Sequence, residues 1–138
     1  MATITEDYIS FETAKLLKEK WFKFIENTDE LSKAYVHAYT KEGKEVWGCY
    51  SSDYYPCITI NMAMKWLREV HHWHIFVIPR WEDIECMPGE WEEKMVGYQY
   101  VIINIGEVNR KDEQPTTTAL SSESACEAAI KYCLEHLI

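Results

Sequence analysis

Three histidines within four residues form the densest group of metal-binding side chains in the sequence, His71, His72 and His74. Imidazole nitrogens bind zinc, copper and nickel. His71 and His72 end a predicted helix and point about 100° apart, whereas His72 and His74 share a face if both lie in the following strand. His72 and His74 are therefore the metal candidates. A structural role is favoured over a metal site, because a protonated histidine near a helix C-terminus interacts favourably with the helix dipole. We expect no metal and no cofactor.

Cysteines are the other reactive side chains, and their number is odd: Cys49, Cys57, Cys86, Cys126 and Cys133. No CxxC pair typical of a zinc ribbon or a thioredoxin-type site occurs among them. The sequence also contains no G-x-S-x-G elbow, and its five glycines are scattered singly rather than grouped in a phosphate-binding loop. Free thiols in a reducing cytoplasm explain the cysteines most simply. An enzyme or ligand-binding protein with a site near His71, His72 and His74 is therefore the alternative, not the leading hypothesis.

A segment dense in carboxylates carries two tryptophans, Trp81 and Trp91. Burial of so many charges without partners would be costly, so the segment must lie in solvent. Residues 81–97 either extend a hairpin that turns at Pro88 and Gly89 or form a loop. Indole side chains dominate interface hot spots, and carboxylates steer basic partners. Trp81 and Trp91 are therefore the predicted partner-binding residues, although local packing against each other is the structural alternative.

Three segments that would position these residues have apolar side chains at helical spacing. The first begins at Ser10 and ends near residues 26–27, and the second spans residues 60–71. The third begins at Ser121 or at Ser124, since Ser124 can form a capping box with the glutamate three residues later. The sequence therefore predicts three helices.

Four segments between the helices are rich in aromatic and β-branched residues and predict two hairpins. Residues 35–40 and 45–50 flank Gly43, which can adopt the positive φ of a short hairpin loop. Residues 73–86 and 91–108 form the second pair, as one long hairpin or as a shorter hairpin with an acidic loop. The remaining segments, residues 51–56 and 109–120, are polar and predict loops.

The second hairpin has apolar residues on both faces, because Phe76 and Ile78 alternate with Ile75 and Val77. Either helices cover both faces, or one face contacts a second copy of the protein. The face in question carries Phe76, Ile78, Val101 and Ile103. A homodimer formed through this face is therefore one predicted association.

The element order predicts a fold of the α+β class, α-β-β-α-β-β-α, with an antiparallel sheet packed with three helices. The 138 residues (16.3 kDa), of which 47% are hydrophobic, match the size of one domain spanning residues 1–138. A net charge of −9 and a pI near 5.0 argue against a nucleic-acid partner. No apolar run approaches the ~18 residues of a membrane helix. Residues 1–7 lack the pattern of a signal peptide, so we expect a cytoplasmic protein without membrane contact.

Three stretches resemble one group of proteins in the same order along the chain. They are residues 6–20 (EDYISFETAKLLKEK), 62–71 (MAMKWLREVH) and 125–135 (ACEAAIKYCLE). The group consists of small uncharacterised proteins of phages and prophage regions of gut Bacteroidales. The resemblance covers the three predicted helices and implies a bacterial or phage cytosolic protein. It implies no activity and no functional residues.

These observations favour a non-enzymatic accessory protein of phage or mobile-element type that binds another protein. The sequence contains no catalytic constellation, and its six tryptophans and nine tyrosines exceed what one small core readily hides. The sequence does not identify the partner.

Overall fold

A computed structural model of the chain describes residues 7–20, 22, 35–105, 111–113 and 119–138, with only the backbone of 111–113. The elements are α1 (Phe11–Glu19), β1 (Tyr35–Tyr39), β2 (Glu45–Cys49), β3 (Tyr55–Pro56), α2 (Ile60–His71), β4 (Trp73–Met87), β5 (Glu90–Asn104), β6 (Lys111–Glu113), α3 (Ser122–Tyr132) and a π-helical turn (Cys133–Leu137). The α+β class is confirmed, and the predicted order holds apart from the added short strands β3 and β6.

The described strands form two three-stranded antiparallel sheets rather than one, in the orders β2-β1-β3 and β4-β5-β6. The chain separates into two compact units. The first comprises Met1–Ala63 and Lys131–Ile138, and the second comprises Met64–Ile130. Each sheet lies within one unit, and the units are described separately. A single domain spanning residues 1–138 stays a prediction.

Helix α1 begins as predicted, and its last helical residue is Glu19. The side chain of Ser10 caps it by accepting a hydrogen bond of 3.3 Å from the backbone N–H of Thr13. At its other end Lys20 leaves the helical conformation, with φ −94° and ψ 24°. The N–H of Phe22 then bonds the carbonyl of Leu17 at 3.1 Å, which closes the helix end. The predicted continuation to residues 26–27 falls outside the described residues.

The first sheet is built on the predicted hairpin of β1 and β2. Gly43 takes a φ of +82° in the connecting turn, and its N–H bonds the carbonyl of Thr40 at 2.9 Å. Strand β3 lies in a segment predicted as a loop. It adds to β1 because Tyr55 pairs with Tyr39, and the ring of Phe11 contacts both tyrosines edge-on. Pro56 is tolerated there because β3 is an edge strand.

Helix α2 has the predicted boundaries. The Thr59 hydroxyl accepts a hydrogen bond of 3.1 Å from the N–H of Met62 at its start. The chain reverses after the helix at His72, which has a φ of +64°. The His72 carbonyl then accepts a bond of 2.8 Å from the N–H of Ile105. The left-handed residue explains how a strand follows α2 without a connecting loop.

The long second hairpin is one continuous pair of strands. Strands β4 and β5 each span 15 residues and pair from Trp73 opposite Asn104 to Met87 opposite Glu90, with a bulge next to Arg80. Gly89 has a φ of +84°, as the third position of the predicted turn requires. Of the two predicted alternatives for residues 81–97, the hairpin extension is therefore confirmed and the loop is wrong. Strand β6, in a segment predicted as a loop, pairs with residues 101–103 of β5.

The two faces of this sheet differ in burial. Trp73, Ile75 and Ile102 lie on one face and are buried. On the other face Phe76 is 44% exposed and Ile78 is 40% exposed. A homodimer through this second face stays a prediction.

Helix α3 begins at Ser122, so the first of the two predicted starts is correct. The Ser121 hydroxyl caps the helix by accepting a bond of 3.1 Å from the N–H of Ser124. Ser124 lies inside the helix and is therefore not its N-cap. The buried side chains continue from Ala129 and Ile130 into the π-helical turn.

Candidate functional site

The three clustered histidines occupy different environments. The ring of His71 packs edge-on against Trp66, with centroids 4.7 Å apart. Burial, followed by the charge of His72, lowers the pKa of His71, so its imidazole is neutral at neutral pH. A neutral imidazole does not make the favourable interaction with the helix dipole that the sequence predicts for a protonated histidine at this position. His72 is exposed, and the ring of His74 stacks on Phe76 at 4.3 Å.

A different histidine takes part in a compact group of potential ligands: His37, Glu45 and Cys57. His37 Nε2 lies 3.1 Å from Glu45 Oε1, and Cys57 Sγ donates to the same oxygen at 3.4 Å. The three ligand atoms all lie within 4.8 Å of one another. Within the described ranges this is the one group of three or more His, Cys, Asp and Glu side chains so placed, and His72 and His74 are not in it.

The register of the first sheet brings this group together. Glu45 pairs with Tyr39, which lies two positions from His37 on β1. The side chains of His37 and Glu45 therefore share one face of the β1–β2 hairpin. Cys57 directly follows β3, and its backbone N–H bonds the His37 carbonyl at 3.4 Å. Sequence analysis missed the group, since its members are 8 and 12 residues apart. The hairpin prediction placed Glu45 across from β1, but the short strand β3 carried no signal.

Two aromatic rings hold the imidazole of His37. Trp47 lies directly opposite on β2 and stacks on the ring, with centroids 4.2 Å apart and an interplanar angle of 1°. Tyr8 contacts the ring edge-on at 4.8 Å. With both contacts in place, the ring plane is fixed and Nε2 remains directed at Glu45.

Cys57 is unsuited to act as a free nucleophile. Its side chain is buried, and the residue is only 2% exposed. Burial raises the pKa of its thiol to about 12, a hydrogen bond with Tyr39 lowers it in part, and Glu45 raises it further. The thiol is therefore protonated at neutral pH, and thiolate chemistry at Cys57 would need a cation to replace the proton.

We expect native alkylation to separate the cysteines by exposure. Iodoacetamide at mildly alkaline pH labels the exposed thiols of Cys49 and Cys86, while the buried Cys57 and Cys133 stay unmodified until the protein is unfolded in urea. Peptide mass spectrometry of samples quenched over time measures each site. Labelling of Cys57 as fast as Cys49 would contradict its burial and its raised pKa.

The distal half of the long hairpin is a two-stranded ribbon, and we refer to residues 81–95 as the arm. Every residue of the arm is exposed. Trp81 pairs with Met95, and Trp91 pairs with Glu85. The indoles therefore lie on the same face, separated by four strand positions, or about 13 Å. At this distance they do not pack against each other, and they are 54% and 63% exposed.

The face that carries both indoles, here called the tryptophan face, also carries Asp83, Glu85 and Glu93. Asp83 and Glu93 are direct cross-strand partners. Like charges in this position repel each other. Across the part of the chain that the structure describes, none of these three carboxylates has an ion-pair partner.

The opposite face of the arm is balanced in charge. Arg80 lies 3.0 Å from Glu82, and Lys94 lies 3.7 Å from Glu92. Basic residues are therefore available next to the arm, but they pair with the carboxylates of this face. Unpaired negative charge is concentrated on the tryptophan face.

Two shallow clefts of about 280 and 330 Å³ lie beside α1. Lys15 and Glu19 line both clefts, and an exposed ion pair between Lys131 and Glu12 borders the second. Among the described residues that line the two clefts there is no histidine and no cysteine. The mixture of opposite charges gives neither cleft a preference for a ligand of one sign.

None of the helices in the described ranges is long and apolar enough to cross a membrane. No family model, no curated protein and no solved structure matches the chain.

Proposed function

We propose that this is a non-enzymatic accessory protein, of phage or mobile-element type, that binds a basic surface of another protein through the tryptophan face of the arm. One observation carries the proposal. Trp81 and Trp91 lie exposed on the same face as three carboxylates that have no ion-pair partner among the described residues.

The electrostatics of the tryptophan face favour a cationic partner. The cross-strand pair of Asp83 and Glu93 is repulsive in the free protein. A lysine or arginine side chain that inserts between them would replace this repulsion with two attractive contacts. The long-range field of the carboxylates would also raise the rate of encounter with a basic surface.

The indoles supply the affinity that exposed charges alone do not. Exposed ion pairs contribute little, because water and salt screen them. Trp81 and Trp91 each offer a large apolar surface that a partner can bury, and their faces attract guanidinium and ammonium groups. Basic residues interspersed with apolar ones therefore fit the tryptophan face best.

The carboxylates of the arm bear on the class of the partner, and the cysteines bear on the location of the protein. A phosphate backbone is repelled by the carboxylates of the arm, so a protein is favoured over a nucleic acid. Five free cysteines are consistent with a cytoplasmic protein. The enzyme alternative near His71, His72 and His74 gains no support, because these side chains do not converge with a third ligand or a nucleophile in the described residues.

Selection from a displayed library of random peptides tests the proposal without a known partner. The immobilised wild-type protein is expected to enrich peptides that combine lysine or arginine with apolar residues. The matched bait is Trp81→Ala/Trp91→Ala, which keeps every charge of the arm. The enriched peptides are expected to bind wild type and not this variant.

Two results would contradict the proposal. One is enrichment of peptides without basic residues. The other is equal binding of the enriched peptides to wild type and to the arm variant, since that would place the binding surface elsewhere on the protein.

A further inference from the structure

We infer that His37, Glu45 and Cys57 form a zinc site with three protein ligands. This site lies in the first sheet and is independent of the arm, so it goes beyond the proposed function. It also departs from the expectation of no metal, which considered only His72 and His74.

The donor set fits zinc better than other common divalent ions. An imidazole nitrogen, a thiolate sulfur and a carboxylate oxygen are the three donor types that zinc accepts in proteins. Magnesium and calcium prefer oxygen ligands alone, and thiolate is unsuited to both. The single buried sulfur of Cys57 therefore points to a borderline-soft metal such as zinc.

Two of the three donor–donor distances are close to those around a tetrahedral ion. Zinc bonds of about 2.0–2.3 Å at tetrahedral angles place neighbouring donor atoms about 3.4–3.6 Å apart. His37 Nε2 lies 3.1 Å from Glu45 Oε1, and Cys57 Sγ lies 3.4 Å from the same oxygen. Shifts of a few tenths of an ångström would bring these two distances to the values that the ion requires, and the third pair of donors, on His37 and Cys57, lies within 4.8 Å.

The surroundings of the donors restrict their movement and leave a way in. The stacked ring of Trp47 holds His37 in place. The Glu45 side chain is 54% exposed and gives an ion a path from solvent. Three protein ligands leave a fourth position for water.

Protons balance when the ion binds. Zinc replaces the thiol proton of Cys57, which is released to solvent, and an imidazole that binds the ion through Nε2 keeps its one proton on Nδ1. Glu45 then binds the metal instead of accepting hydrogen bonds from the other two side chains. No oxidant or further reactant is needed.

Titration of the metal-free protein tests the inference directly. Calorimetry with zinc chloride is expected to give one ion per chain. Cobalt chloride, used as a spectroscopic probe, is expected to give the d–d bands of four-coordinate cobalt and a sulfur-to-cobalt charge-transfer band. Cys57→Ser is expected to remove the charge-transfer band. Cys57→Ser and His37→Gln are each expected to weaken zinc binding by more than about 100-fold, because the loss of a direct ligand costs more than the loss of a second-shell partner, for which about 100-fold is the upper range.

Cys49→Ser is the matched control, because Cys49 is an exposed cysteine in the same sheet. It is expected to leave zinc affinity and the cobalt spectrum unchanged. Absence of the sulfur-to-cobalt band in folded wild-type protein would overturn the inference, and so would retention of that band in Cys57→Ser. Absence of the band in wild-type protein overturns the inference without any variant, and a band that is present is assigned to Cys57 by its loss in Cys57→Ser and its retention in Cys49→Ser. The test also leaves the arm proposal untouched.

Discussion

Replacement of Leu67 by alanine is expected to lower the free energy of unfolding by about 2–5 kcal/mol. Leu67 lies on α2 and has no exposed surface. The substitution removes buried methyl groups and leaves a cavity that the neighbouring side chains fill only in part, so both terms reduce stability. Urea denaturation followed by circular dichroism measures the change, with the midpoint shifted and the slope retained.

Val70→Ala is the matched control on the same helix. Val70 is 54% exposed, so its substitution is expected to change stability by no more than about 0.5 kcal/mol. A loss below 1 kcal/mol for Leu67→Ala would show that Leu67 is not a core residue, and it would require a different phase for α2.

The second large effect concerns binding rather than stability. Trp81→Ala/Trp91→Ala is expected to weaken affinity for an enriched basic peptide by at least about 100-fold. A tryptophan hot spot contributes about 2 kcal/mol or more, and two of them reach this loss even when their effects are not additive. The melting temperature should change little, because both indoles are more than half exposed and do not pack on each other.

Calorimetric titration gives the affinity, and a thermal melt of the same samples gives the stability. Trp47→Ala is the matched control, since Trp47 is 61% exposed but lies in the first sheet. It is expected to retain peptide affinity. Loss of several degrees of melting temperature in the double variant, with affinity intact, would show that Trp81 and Trp91 are structural and that the arm is not the binding site.

Local signals explain why the helices and the pairing of the second two strands could be predicted, whereas the continuous hairpin over residues 81–97 was one of two open alternatives. The α2 segment combines a capping threonine with an apolar stripe through Ile60, Ala63 and Leu67, all of which are buried. The turn at Gly89 follows from the positive φ that glycine adopts without strain. Each of these features depends on residues close in sequence, where propensity and periodicity act.

Elements that depend on distant pairing could not be predicted. Strands β3 and β6 have two and three residues, too few to show alternation, and they form by pairing with β1 and β5. These two strands are therefore set by pairing with residues that are distant in sequence, which local patterns do not show.

The same distinction separates the two candidate sites. Trp81 and Trp91 were predicted because an acidic segment with tryptophans is visible in one stretch of sequence. The group of His37, Glu45 and Cys57 requires the register of β1 with β2 and the pairing of β3, which brings Cys57 to His37. His72 and His74 are metal candidates only because the histidines are close in sequence, and the side chains of the histidine cluster occupy separate environments.

The most direct test of the central claim observes the indole groups themselves. The chain has six tryptophans, so a ¹⁵N–¹H correlation spectrum contains six indole N–H signals, which single Trp→Phe variants assign. Titration with an enriched basic peptide is expected to shift the signals of Trp81 and Trp91 while those of Trp66 and Trp73 stay in place. Shifts confined to other indoles, with Trp81 and Trp91 unmoved at saturation, would contradict binding through the arm.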